Sequence, residues 1–179
     1  MNQLAAHPSD AYSRLSDLTL FSHCSRRELR RVCHLGTGVR VRAGRQLMVE
    51  GDRGSEVMIV VSGLASCLVA GTEVATFGAG DFFGEVAALD GGRRTATVVA
   101  RNEMELLVLE RREFNQLLAD APSVAHRMVE KMALRLRRAN DIGQGLPTAP
   151  PRPSHRPPSA KEVVTPFRRS DSVRPTASG

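Results

Sequence analysis

Aromatic residues are scarce: six Phe and one Tyr stand among 179 residues, and Trp is absent. A core must therefore come from Val, Leu, Ala, Met and those few Phe. Cys24, Cys33 and Cys67 are odd in number and show no CxxC spacing, which excludes a disulfide framework and fits a reducing cytoplasm. His23-Cys24 and Cys33-His34 lack the paired half-sites of a structural zinc centre, so no metal is expected. No His falls between His34 and His126, so the central segment cannot supply the imidazoles of a metal-dependent barrel enzyme. No apolar run approaches the ~20 residues that span a bilayer, and the N-terminus lacks a signal sequence. These absences point to a cytoplasmic protein without membrane or metal chemistry.

The net charge of +6 suggests nucleic acid until it is located. Residues 143–179 hold Arg152, Arg156, Lys161, Arg168, Arg169 and Arg174 against Glu162 and Asp171, which leaves +2 on the body. A nearly balanced body with a basic tail is not a phosphate-tracking face. The same tail holds eight of the ten prolines and few apolar residues, so 142–179 is expected to be disordered. Within it, Arg168-Arg169-Ser170 resembles a site for kinases that prefer basic residues. Residues 1–14 are expected to be a flexible lead-in to a domain over 15–141.

What is present is a change of rhythm. Leu15, Leu18, Leu20 and Phe21 form a helical stripe, and Ser25 with Glu28 is a capping box opening a helix to about His34. From Val39 to Leu109 the apolar residues alternate in short runs, with turn signals such as Ala43-Gly44, Glu50-Gly51-Asp52, Ser62-Gly63, Ala70-Gly71 and Gly78-Ala79-Gly80. That pattern predicts a mainly β fold, an antiparallel jelly-roll barrel (a double-stranded β-helix) of roughly eight strands with N-terminal helices. Phe83–Leu89 interrupts it with helix formers, which marks a candidate site. After Glu110, Phe114, Leu117 and Leu118 predict a short helix. Pro122 opens a long C-terminal helix to about Asp141, with Val124, Met128, Met132 and Leu136 as its apolar stripe and Arg127, Lys131, Arg135 and Arg138 opposite.

Phe83-Gly84-Glu85-Val86-Ala87, a short variable stretch, and Arg94-Thr95-Ala96 resemble the phosphate-binding cassette of the cyclic-nucleotide-binding domain family. The glycine-marked turns upstream match the same family. The resemblance implies a sensor that binds a cyclic nucleotide, cAMP with cGMP left open, and no catalysis. It implies that Arg94 holds the cyclic phosphate with the Thr95 hydroxyl and the Ala96 backbone N–H. Gly84 lets the backbone approach closely, and Glu85 takes the ribose 2′-hydroxyl and steadies Arg94. A guanidinium fork suits a compact phosphate monoanion. By alignment with the catabolite-activator branch, Asn140 meets the base.

The same branch implies a homodimer through helix 122–141, and a protein effector is a further expected partner. It places a helix-turn-helix domain after that helix, where this chain runs into prolines, so no sequence-specific DNA binding is expected. The competing reading is a fold that has lost its ligand and serves as an interaction scaffold.

Overall fold

Eight strands pair into two four-stranded antiparallel sheets, the jelly-roll arrangement. The computed structural model describes residues 13–143, so the expected lead-in, apart from its last two residues, and the tail beyond Gly143 lie outside the described residues. One sheet runs β1 (Thr37–Val41), β8 (Met104–Leu109), β3 (Val57–Ser62) and β6 (Phe82–Phe83). The other runs β2 (Gln46–Met48), β7 (Thr97–Ala100), β4 (Ala65–Val69) and β5 (Thr72–Phe77). Period-two alternation sets the registers: β8 pairs with β1 at Val39↔Leu106 and with β3 at Ile59↔Leu107. The β4–β5 hairpin turns at Ala70-Gly71, where both residues take positive φ, as a type I′ turn requires. Alanine pays a steric cost there, and Glu50 compensates by accepting a hydrogen bond from the Ala70 N–H at 2.7 Å.

Met48, Val60, Ala65, Cys67, Phe77, Phe83, Val98, Met104 and Leu106 fill the space between the sheets. A second core lies under the helices, where Leu15, Leu18, Leu20, Phe21 and Leu29 meet Ile59, Phe82, Leu107, Phe114, Leu117, Val124 and Met128. Its helices are α1 (Arg26–Leu35), α3 (Arg111–Asp120) and α4 (Pro122–Gly143), while the short α2 (Glu85–Asp90) sits between β6 and β7. Ser25 caps α1 with Glu28, as its sequence predicts. The Glu28 carboxylate also reaches the start of α4, accepting from the Ser123 hydroxyl at 2.9 Å.

Two expectations need correction. Phe83 belongs to strand β6, so the helix begins only at Glu85. The stripe of α4 also ends early. Val124 and Met128 are buried in their own chain and Met132 is partly buried, but Leu136 is 63% exposed. Lys131 and Arg135 turn toward the barrel, where Lys131 pairs with Asp81 at 2.8 Å.

Candidate functional site

Gly84 is the hinge on which the site is built. It caps α2 with φ +87°, which L-residues with a Cβ rarely adopt. A Cβ at Gly84 would stand 2.6 Å from both the Arg94 Nη1 and the Glu56 carbonyl oxygen. The turn therefore brings the backbone against Arg94 and leads directly into the first turn of α2, where Glu85 sits.

Arg94 is buried, with 5% of its surface exposed. The segment joining β2 and β3 forms its socket. The Arg94 N–H donates to the Asp52 carbonyl at 2.9 Å, and its own carbonyl accepts from Gly51 at 2.8 Å. Nη1 donates to the carbonyls of Glu56 and Gly84 at 2.8 and 3.0 Å, and Nη2 donates to the Glu56 carboxylate at 2.8 Å. A guanidinium has five donors. The remaining two, on Nε and Nη2, have no acceptor among the described residues. Gly54 lies beside them: a Cβ there would be 2.6 Å from both nitrogens. The result is a desolvated cation with a free donor edge, suited to an anion with two acceptor oxygens.

Glu85 is 6% exposed and points to α4, where Arg135 donates to it from Nη1 at 3.2 Å. Burial pushes the Glu85 carboxyl above its ordinary range, and the charges of Arg135 and Arg94 only partly oppose that. Arg135 lies over the rings of Phe77 and Phe82, at 4.8 and 4.6 Å from their centroids. Its Nη2 is buried without a hydrogen-bond partner among the described residues and faces the Asp81 carboxylate at 4.0 Å. Among the described residues, no three His, Cys, Asp or Glu side chains gather to hold a metal, and no helix is long and apolar enough to cross a membrane.

The family model described as "Cyclic nucleotide-binding domain" matches residues 38–121, which contain the Arg94 socket and α2. Residues 38–121 make up a cyclic nucleotide-binding domain. It is similar to the cyclic AMP receptor protein of Thermus thermophilus, with 37% identity over 102 residues, 54% of this chain and 47% of that one. It is also similar to a cAMP-dependent protein kinase regulatory subunit of Blumeria graminis, with 32% identity over 64% of this chain and 30% of that one. Among solved structures, PKAR CBD2 with bound Sp-2Cl-cAMPS superposes with a TM-score of 0.64 at 25% identity, covering 77% of this chain and 95% of that one. The chain spans less than half the length of the curated relatives it matches.

The domain gathers most of the residues expected from the sequence. Phe83 is buried beside Phe77, their rings stacked at 5.2 Å, and leads into Gly84. Glu85, Val86 and Ala87 form the first turn of α2, with Val86 half-buried and Ala87 buried. Arg94 is buried, Thr95 exposed and Ala96 buried ahead of β7. Asn140 stands apart, exposed near the end of α4 without a hydrogen bond to the cassette. The expected grip of Glu85 on Arg94 is replaced by that of Glu56, and Glu85 pairs with Arg135 instead. Glu56, Gly54 and Arg135 were not picked out by the sequence. Only the Glu50-Gly51-Asp52 turn signal lay near the first two.

Proposed function

We propose that this domain senses cAMP. The free donor edge of buried Arg94 is the observation on which the reading rests. The cyclic phosphate accepts from Nε and Nη2, with the Thr95 hydroxyl and the Ala96 backbone N–H as further donors. Glu85 accepts from the ribose 2′-hydroxyl. Phe83, Gly84, Val86 and Ala87 shape the wall, and Asn140 offers donor and acceptor to the base once α4 closes. Because ribose and Arg135 compete for one carboxylate, occupancy alters the hold on α4, and that is the output. The chain acts as a regulator in the cytoplasm, signalling to a protein effector, and performs no catalysis itself.

The second half of α4 supports a homodimer. Val129 and Leu136 are each 63% exposed, and with Met132 they repeat at the three–four spacing of a helix seam. Val124 and Met128 are used up inside the chain and take no part. Light scattering should give twice the chain mass, and a monomer mass with and without ligand removes the dimer.

Calorimetric titration with cAMP, cGMP and 5′-AMP tests the ligand. The cyclic monoanions should bind and 5′-AMP should bind far more weakly. Absence of binding by any cyclic nucleotide leaves the scaffold reading in its place.

A further inference from the structure

Helix α1 reads Arg-Arg-Glu-Leu-Arg-Arg-Val-Cys-His-Leu, and its charge pattern works against its own stability. Arg26 and Arg27 occupy the first turn, where the helix dipole favours acidic side chains and disfavours cations. Arg26 with Arg30, and Arg27 with Arg31, are like-charge pairs four residues apart, which repel along the helix surface. Only Arg31 finds a carboxylate, Asp120 at 2.7 Å. Arg26, Arg27 and Arg30 are exposed and make no ion pair or side-chain hydrogen bond among the described residues. The buried side of the helix, Leu29 and Val32, does not require them. Neutral polar residues at the three positions would fold this helix better. Glu28 in the first turn and the Arg31–Asp120 pair answer part of this charge, but Arg26, Arg27 and Arg30 have no such partner among the described residues, which marks them as kept for something outside the fold.

We infer that Arg26, Arg27 and Arg30 form a docking surface for an acidic segment of a partner protein. Arg26 and Arg30 are separated by about 6 Å along the helix axis. Alternate side chains of an extended peptide repeat at about 6.7 Å, so successive carboxylates on one edge meet successive guanidinium groups. Arg31 with Asp120 is an intramolecular example of the same contact on the same helix. A bilayer surface suits this face poorly. Among the described residues the exposed large apolar side chains are Leu64, Val69, Val74, Leu89, Val129, Leu134 and Leu136, none on α1 or α3, so nothing on this face would anchor in lipid. Single-stranded nucleic acid suits it poorly as well, because the described aromatics nearest to α1, Phe21 and Phe114, are buried and no ring is open for a base to stack on.

The test uses the full chain and a fluorescent synthetic peptide of alternating glutamate and serine, titrated at low and moderate salt. The parent should bind in a salt-sensitive way. The triple variant Arg26→Gln/Arg27→Gln/Arg30→Gln should bind at least about tenfold more weakly while melting at the same temperature or a few degrees higher. The corresponding triple Lys variant should retain part of the affinity. The basic tail is common to all three proteins, so the difference between them reports α1. The proposal is overturned if the parent ignores the peptide, if the Gln variant binds within about twofold of it, or if the Gln variant melts earlier. It is equally overturned if random duplex DNA or phosphatidylserine vesicles depend on these three arginines more strongly than the peptide does.

Discussion

Two guanidinium groups face the same short helix and are held in opposite ways. Arg94 is fixed by the loop between β2 and β3, by the Gly84 carbonyl and by its own backbone, all within the barrel. Arg135 reaches the site from α4 through a 3.2 Å bond to Glu85, a longer ion pair with Asp81 at 4.0 Å and two ring faces. Its helix is embedded through Met128 and largely exposed from Ala133 to Asn140. A preformed group confers affinity because its ordering is already complete before the ligand arrives. A group at the end of a loosely seated helix confers responsiveness, since a small change in its bonding shifts the balance between two positions. One site thus separates recognition from transmission.

The comparison breaks most sharply at Arg94. Arg94→Ala should weaken cAMP binding by 2–5 kcal/mol, very roughly 30-fold to several-thousand-fold, by leaving the phosphate without its charged partner. Calorimetry on the folded variant checks this, and binding equal to the parent would move the phosphate elsewhere. Gly84→Ala comes next. Its Cβ meets the Arg94 Nη1 and the Glu56 carbonyl at 2.6 Å in a left-handed conformation, so we expect a stability loss of about 2 kcal/mol. Binding should weaken about tenfold as Arg94 shifts, and a variant with unaltered melting and binding would show the socket to be soft.

Arg135→Ala sharpens the other arm. Affinity should change less than about threefold, because the bond lost from Glu85 is one that the ribose hydroxyl replaces when cAMP binds. Tryptic cleavage after Arg137 and Arg138 should accelerate, because α4 loses its hold beyond Met132. An unaltered cleavage rate would mean that the bridge does not restrain the helix. The smallest effect concerns pH. The Glu85 carboxyl lies above its unfolded value of 4.5, so its contribution to stability is present below that value and lost as pH rises through the folded one. Hydrogen bonds from Ser25 hold Glu28 below 4.5, so its contribution is present above that value and lost as pH falls. Glu85→Gln should therefore raise the urea midpoint at neutral pH and not in acid, whereas Glu28→Gln should lower it at neutral pH. The opposite pattern would reverse the two assignments.

Local signals in the sequence were sufficient for what is local. Strand alternation, glycine turns, the Ser25–Glu28 box and Pro122 at the start of α4 all depend on neighbours a few positions apart. The cassette residues were legible for the same reason, lying within one short stretch. Strand β6 escaped because two Phe residues show no alternation. Glu56 escaped because it meets Arg94 across 38 positions with no pattern between them. Arg135 was assigned to the solvent face because periodicity separates apolar from polar faces but does not tell which long cations reach back over a body. Leu136 fits the stripe of Val124 and Met128, yet the surface under the helix ends before it.

The Glu28 carboxylate that joins Ser25 to Ser123 has a mechanical meaning. It fastens the first long helix to the last one across 95 positions, and the whole β structure lies on the segment between. Tension drawn through the two ends of this region loads that clasp and the apolar contacts around it before it reaches a strand. Beyond the clasp, α4 meets the site itself through the bond from Arg135 to Glu85, so a pull on its end is felt at that carboxylate.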